Sequence, residues 1–231
     1  AAAPHHTARG MTGSGSILLA AVSGAIVGSF LNVCIYRLPL GTSIVWPASA
    51  CPHCRRHLAW FENIPVVSYL ALRGRCRTCH EPIAGRYPLV EALTALMCAA
   101  AWWYYGPGVL VVSRLLFGCA LIVLFAIDLE HHLLPNVITL PGILAGLAFS
   151  FATEPGWVAS LAGIVVGGGV LYLIAELYYR IRHEEGLGMG DVKMLAMIGA
   201  FIGWKLTLVT LMMASFAGSL IGVALIVAHK G

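Results

Sequence analysis

Long apolar segments constrain this sequence more than any other feature, because a run of about 20 apolar residues matches the roughly 30 Å hydrocarbon core of a bilayer. The chain is 59% hydrophobic and 10% charged, whereas a water-soluble domain is about 25% charged. We therefore predict an all-α polytopic membrane protein with about seven transmembrane helices. Their approximate bounds are 17–36, 89–105, 109–127, 137–152, 157–180, 191–204 and 206–228. The sixth is short and follows a polar loop, so it is expected to be tilted, re-entrant or broken.

The positive charges indicate how the chain crosses the bilayer. The one large polar segment, residues 38–88, holds six arginines, and the positive-inside rule places such a segment in the cytoplasm. Threading the later spans alternately also brings Arg180, Arg182 and Lys193 to the inside and leaves the N-terminus outside. Topology thus accounts for the net charge of +4, and no nucleic-acid partner is expected.

Four cysteines in the polar segment have the spacing of a metal site. Cys51 and Cys54 form one CxxC turn, Cys76 and Cys79 form a second, and 21 residues separate the two turns. Two such turns can direct four thiolates at one Zn²⁺ ion. Two disulfides or free thiols are the alternatives, and a reducing cytoplasm disfavours the disulfides. Because four sulfurs close the coordination sphere, this zinc is expected to fold the segment and to perform no chemistry.

The two aspartates of the chain, Asp128 and Asp191, are both predicted at the cytoplasmic ends of spans. An ionisable group in that position is costly to keep charged and often marks a functional site. If the two loops meet, one carboxyl pKa rises and the pair can share a proton, so that one group deprotonates a water and the other protonates a scissile carbonyl. The alternative is that each carboxylate reaches the interface and caps a helix.

Two other classes of function remain open on these patterns. In a transporter or channel with a zinc-bearing cytoplasmic lid, the aspartates would act as ion or proton relays and should lie near mid-membrane. In a non-catalytic assembly platform for a secretion machine, replacing both aspartates by asparagine would leave function intact. Their predicted positions at span ends favour a peptidase.

Several motifs, taken in order, resemble those of the prepilin peptidases, also called type IV leader peptidases, of bacterial type IV pilus and type II secretion systems. The resemblance covers nearly the whole chain after its first 16 residues. Its pieces are GSFLNV at 28–33, YRLP at 36–39, CPHC at 51–54, WFENIP at 60–65, RGRC at 73–76, RYPLVE at 86–91, Asp128 with PN at 135–136, and GMGDVK at 188–193.

The resemblance implies a membrane-embedded aspartyl endopeptidase with Asp128 and Asp191 as its catalytic residues. Its substrates would be prepilins or pseudopilins, cut after a short basic leader at the cytoplasmic face of the bacterial inner membrane. The resemblance also implies N-methylation of the new N-terminus with S-adenosylmethionine, an activity associated with the cytoplasmic segment. Gly74 and Glu62 are the predicted contacts of that methyl donor, on the grounds of close backbone approach and of a ribose or amine contact.

Charged residues near the two aspartates are the predicted substrate contacts. The glutamates among them could attract the lysines of a leader peptide, and a solvated loop surface is the alternative. These residues are Glu130, Glu184, Glu185 and Lys193.

The predicted division of the chain has four parts. Residues 1–16 are a tag or lead, 17–36 the first transmembrane helix, 37–88 the zinc-binding, methyltransferase-associated segment, and 89–231 the transmembrane peptidase domain. The resemblance implies one further apolar helix after the last span, which this sequence lacks, and the oligomeric state stays open. The glycines of the second half are predicted to be close helix-packing positions. They are Gly142, Gly146, Gly163 and the run 167–169.

Overall fold

A computed structural model describes residues 13–184 and 188–229. Within those ranges the chain is helical, with a short 3-10 helix and two isolated β-bridges as its other regular structure, which confirms the all-α part of the predicted fold class. Most of the predicted lead 1–16 lies outside the described residues. The α-helices are α1 Ser14–Arg37, α2 Val67–Ala71, α3 Arg86–Tyr105, α4 Val109–His131, α5 Asn136–Ser150, α6 Trp157–Arg182 and α7 Met189–His229, and the 3-10 helix is Trp60–Asn63.

Four of these helices, α1, α4, α6 and α7, are long and apolar enough to cross a membrane, and α5 is a shorter apolar helix. The protein is therefore a multi-pass membrane protein. The seven predicted spans correspond to six helices, because α7 contains both of the last two. The number of crossings stays a prediction.

The helix α7 is interrupted at Gly203. This residue has φ +77° and ψ 166° inside an otherwise helical segment, and only glycine adopts such a φ without strain. A Cβ at this position would also lie 3.0 Å from the side chain of Pro155. The interruption falls next to the boundary that the sequence predicts between the sixth and seventh spans.

Two compact units make up the chain, residues 1–135 and 136–231, and we describe each by itself. In the first unit, α1 packs against α3 and α4. Two glycines of α1 allow α3 to approach closely. A Cβ at Gly28 would lie 2.7 Å from the Cα of Glu91, and a Cβ at Gly24 would lie 2.7 Å from the Cβ of Cys98.

In the second unit, α7 packs against α6 and α5, and the backbones of α6 and α7 touch. A Cβ at Gly163 would lie 2.2 Å from the carbonyl oxygen of Gly199, and a Cβ at Gly167 would lie 2.5 Å from that of Leu195. The predicted packing role is confirmed at five positions, which are Gly142, Gly146, Gly163, Gly167 and Gly168. It is wrong for Gly169, because a Cβ there would have no heavy atom within 4 Å.

Candidate functional site

The four predicted metal-binding cysteines come together in the first unit. Their sulfur atoms all lie within 4.8 Å of one another, with 3.8 Å between Cys51 and Cys79 and 4.0 Å between Cys54 and Cys76. Tetrahedral coordination with metal–sulfur bonds of about 2.3 Å requires sulfur–sulfur distances of about 3.8 Å. The cluster therefore fits a single tetrahedral metal ion.

The two CxxC turns share one backbone geometry. In the first turn the N–H of Cys51 donates to the carbonyl of Arg56, and the carbonyl of Cys51 accepts from the N–H of Arg55, both at 2.9 Å. The second turn repeats both bonds around Cys76, at 2.9 and 3.1 Å. Arg55 and His80 occupy equivalent positions, each with φ +57°. The segment thus builds its metal site from two copies of the same turn.

The cysteine cluster contains unequal thiols. Hydrogen bonds from the backbone N–H groups of Cys79 and Thr78 lower the pKa of Cys76 to about 6, so this thiol is ionised at neutral pH, the form that binds metal. A backbone N–H of Glu81 lowers the pKa of Cys79, but burial and the other sulfurs outweigh it and raise that pKa to about 11. One thiolate therefore forms readily, and a bound cation would stabilise the others.

Glu62 links the 3-10 helix to the first CxxC turn. Its carboxylate accepts two hydrogen bonds from the guanidinium of Arg56, at 2.6 and 3.0 Å, and one from the N–H of Ala59 at 2.8 Å. These donors, Arg56 first, hold the pKa of Glu62 below its usual value. The carboxylate is buried and occupied by contacts within the segment, and its predicted contact with a methyl donor stays a prediction.

Gly74 lies in the tight connection between α2 and the second CxxC turn. It has φ +67°, and a Cβ on it would lie 2.9 Å from the hydroxyl of Tyr69. The position therefore requires glycine for its backbone conformation and for contact with the tyrosine ring. Its predicted role toward a methyl donor also stays a prediction.

Asp128 lies in the last turn of α4, in the first unit. The residues before it, Leu124 and Ile127, are fully buried, whereas Asp128 itself is exposed. The helix ends in a left-handed cap, in which the N–H of His132 donates to the Asp128 carbonyl at 2.9 Å. The carboxylate is thus presented where the apolar helix meets a polar loop.

Asp191 lies in the first turn of α7, in the second unit, and is half-buried. Its N–H donates to the carbonyl of Gly188 at 3.1 Å, and the first turn of a helix favours a negative charge. Two residues later, Lys193 donates to the side-chain oxygen of Asn136 at 2.9 Å. This bond ties the beginning of α7 to the beginning of α5.

The other predicted substrate contacts have different surroundings. Glu130 pairs with Arg86, the first residue of α3. Glu184 is exposed beyond the end of α6, and Glu185 lies outside the described residues.

Sequence reasoning missed one buried carboxyl group. Glu91, in the second turn of α3, is buried and accepts the N–H of Val66 at 2.7 Å. The signal for it was available, because an ionisable residue inside a predicted span calls for a partner. Val66 has φ +61° and ψ −47°, a strained conformation for a β-branched residue, and the Glu91 carboxyl group holds it in place.

The helices define a multi-pass membrane protein, and the cysteine cluster lies in a segment, residues 37–88, that could bind a metal ion. We call residues 37–88 the metal-binding segment. Residues 22–105 match the bacterial peptidase A24 N-terminal domain, and residues 115–223 match the type IV leader peptidase family. The chain belongs to the type IV leader peptidase family, which confirms the resemblance seen in its motifs.

Three curated relatives, each named prepilin leader peptidase/N-methyltransferase, illustrate the match. The relative from Myxococcus xanthus (strain DK1622) is 43% identical over 90% of this chain and 62% of its own length. The Pseudomonas putida relative is 39% identical over 91% of this chain and 81% of its own length. The Klebsiella pneumoniae relative is 40% identical over 84% of this chain and 88% of its own length. The chain thus spans somewhat less than two thirds of the Myxococcus relative and more of the other two. No solved structure matches the chain.

Proposed function

We propose that this chain is a prepilin leader peptidase and N-methyltransferase in which Asp128 and Asp191 form the catalytic pair. It removes the basic leader of type IV prepilins or type II secretion pseudopilins at the cytoplasmic face of the bacterial inner membrane. The observation that carries the proposal is the family match over residues 22–105 and 115–223. The positions of the two aspartates at the ends of apolar helices support it.

The reaction assigned to the pair is general acid–base hydrolysis of one peptide bond. One carboxyl group is ionised and takes a proton from a water molecule as the water attacks the scissile carbonyl. The other carboxyl group is neutral and donates its proton to the carbonyl oxygen, which gives a tetrahedral diol. The C–N bond then breaks as the first carboxyl group passes its proton to the leaving amine and the second takes a proton back from a diol hydroxyl. Two neighbouring carboxyl groups in a medium of low polarity suit these roles, because they do not both ionise readily.

Cleavage of a purified prepilin tests the catalytic assignment. We expect Asp128→Asn and Asp191→Asn each to lower kcat/KM by about 10²–10⁴-fold, the range that acid–base groups typically contribute. Glu81→Gln is the matched control, since it removes one negative charge from an exposed side chain of the metal-binding segment. Cleavage by either asparagine variant within tenfold of wild type would remove that residue from the mechanism.

We also propose that the metal held by the four cysteines is zinc and that its role is structural. The near-tetrahedral sulfur arrangement supports this, and a closed four-sulfur site leaves no position for a reacting group. Metal analysis of the purified protein should give about one zinc per chain, and cleavage should not depend on adding further zinc.

The N-methyltransferase half of the proposal uses S-adenosylmethionine, with Glu62 and Gly74 near the donor. This cofactor supplies the methyl group that the freed N-terminal amine accepts. The variant Glu62→Gln keeps the shape of the side chain, so we expect it to slow transfer of a labelled methyl group while cleavage continues. Zinc content equal to wild type would show that the segment is folded. Unchanged methyl transfer in such a folded variant would rule out the Glu62 contact.

Glu130, Glu184, Glu185 and Lys193 are proposed as weaker substrate contacts. Replacing the three glutamates by glutamine should raise KM for a basic leader several-fold and leave kcat unchanged, because charges outside the reacting pair mainly attract the substrate. A substrate whose leader lysines are replaced by glutamine is the control, and its KM should not respond. The role of Lys193 is tested by comparing the KM of Lys193→Met with that of Asn136→Ala. Both variants break the same hydrogen bond, and only the first removes a positive charge, so the comparison separates the charge from the hydrogen bond.

A further inference from the structure

The metal-binding segment is attached to the ends of membrane helices at two places. At the first, Arg37, the last residue of α1, donates to the carbonyls of Ser43 and Pro47 at 2.9 and 2.6 Å. These bonds hold the loop 43–47 beside the end of a helix that is long and apolar enough to cross a membrane. Two apolar side chains of this loop, Val45 and Trp46, are 80% and 75% exposed.

The second attachment lies deeper along the same helices. The N–H of Val66, directly before α2, donates to Glu91 of α3, and Glu91 packs against Gly28 of α1. Gly28 precedes Arg37 by nine residues, which corresponds to about 13 Å along a helix. The beginning of α2 is therefore bonded to a residue of α3 whose backbone packs against the body of α1, before the end of that helix.

Apolar side chains are exposed at this level. Val67 and Leu70 are three residues apart and share one face of α2, and both are exposed. Trp60, in the 3-10 helix that contacts α2, is 80% exposed. Its ring packs edge-on against Phe61. Large exposed apolar side chains at the height of a membrane helix are suited to lipid, and tryptophan favours the headgroup region.

The exposed charges of the same segment are mostly positive. Arg55, Arg73, Arg75 and Arg77 are all exposed, whereas the carboxylate of Glu62 is neutralised by Arg56. The guanidinium of Arg77 stacks over the Phe61 ring, 5.5 Å from its centroid, so positive charge and aromatic surface are adjacent. Basic residues near a bilayer are attracted to anionic lipid headgroups.

We propose that the metal-binding segment lies in the bilayer surface, with the apolar side chains of loop 43–47, Trp60 and α2 inserted among anionic phospholipids. In this arrangement the segment is an interfacial part of the membrane domain and is not a free cytoplasmic module. The proposal is independent of the catalytic assignment, because it concerns only whether this surface contacts lipid or water.

Tryptophan fluorescence in nanodiscs made with brominated phospholipids tests the insertion. Bromine on the acyl chains quenches only tryptophans in contact with lipid, and the chain has six tryptophans. We expect the double variant Trp46→Phe, Trp60→Phe to lose less emission per mole of protein to bromine quenching than wild type, because two quenched emitters are removed. An unchanged loss per mole would overturn the proposal, since it would place these side chains in water or under protein. Retained metal shows that the variant is folded, and each single variant should give part of the change.

A second experiment tests whether the exposed arginines of this segment attract anionic lipid. Adding phosphatidylglycerol to phosphatidylcholine nanodiscs should shift the tryptophan emission of wild type to shorter wavelength. The variant Arg73→Gln, Arg77→Gln should lose most of that shift. The matched control Arg180→Gln, Arg182→Gln removes two arginines from the end of α6 and should keep it. Equal loss in both double variants would overturn the assignment of anionic lipid to this surface.

Discussion

The first unit buries a different kind of polar group from the second. In residues 1–135 the buried polar side chains include Asn32, Glu62 and Glu91, whereas in the described part of 136–231 they are all hydroxyl-bearing. Their carboxyl groups accept hydrogen bonds from the irregular segment, Glu91 from the N–H of Val66 and Glu62 from Arg56 and the N–H of Ala59. Ser150 and Thr207 donate to backbone carbonyls of their own helices, and Ser160 donates to the carbonyl of Ala200 in the adjacent helix at 2.7 Å.

This difference reflects what each unit must hold together. The first unit attaches a long irregular segment to its helices, and irregular backbone leaves N–H groups that need charged or polar acceptors. The second unit is composed mainly of packed helices, in which the backbone satisfies itself and glycine allows close contact. Perturbing charge or metal should therefore affect the first unit, and adding side-chain volume should affect the second.

Loss of metal is the largest effect that we expect. A structural zinc site contributes about 10–16 kcal/mol of binding free energy at neutral pH, so removing one ligand in Cys51→Ser should unfold the segment around residues 38–85. Loss of bound metal and new proteolytic cleavage in that range would show it, with residues 136–229 still protected. The control Cys119→Ser replaces a free thiol of α4 and should keep the metal. Simultaneous cleavage of both units would contradict their separate stabilisation.

Added volume at the α6–α7 contact should be next in size. The new Cβ in Gly163→Ala would overlap the Gly199 carbonyl, and overpacking of this kind costs about 3 kcal/mol. Reversible unfolding in bicelles measures the change, and metal content should stay normal. Gly169→Ala on the same helix is the matched control, because its Cβ has open space and alanine is the better helix former by about 1 kcal/mol. Equal destabilisation by the two would argue against backbone contact as the cause.

A smaller effect is expected from Glu62→Gln. Loss of the charged acceptor should increase hydrogen exchange at the Ala59 amide about tenfold. Because Arg56 lowers the pKa of Glu62, the contribution is complete above the usual glutamate pKa of about 4.3 and is lost as pH falls through the lowered value. The difference between wild type and variant should therefore disappear in acid. A difference that grows as the pH falls would refute the assigned ion pair, and Glu81→Gln provides the control.

The smallest effect concerns the turn positions after each CxxC motif. His80 has φ +57°, which costs a non-glycine residue about 1 kcal/mol. Glycine removes that strain but gains freedom in the unfolded chain, so His80→Gly should strengthen metal retention against a chelator by less than tenfold. Arg55→Gly in the equivalent turn should behave alike. Weaker retention in both variants would mean that the side chains stabilise the turns.

The sequence predicted the features that depend on spacing. The two CxxC motifs converge, since each turn is local and has one favoured geometry. The break between the last two spans falls at Gly203, next to the predicted boundary, because only glycine accepts that backbone conformation. The packing glycines were recognised in the second unit because they recur on helices of otherwise large residues.

Features that depend on distant pairing could not be predicted in the same way. Nothing near Glu91 in the sequence indicates that its partner is the N–H of Val66, 25 residues earlier. The pairing of Glu130 with Arg86 is similar, because charge alone does not select one arginine among several. For Gly169 a contact was predicted that does not exist, because three consecutive glycines on a helix cannot all face the same neighbouring helix.

Because α7 is interrupted at Gly203, the rotation of one half about the helix axis does not fix the rotation of the other half. In a continuous helix, one inserted residue turns everything beyond it by about 100°. Because the backbone leaves helical geometry at Gly203, an insertion on its C-terminal side leaves the angular position of Asp191 unchanged, whereas one between Asp191 and Gly199 turns the carboxylate away from its present direction. The C-terminal half of α7 can therefore change in length without disturbing the aspartate.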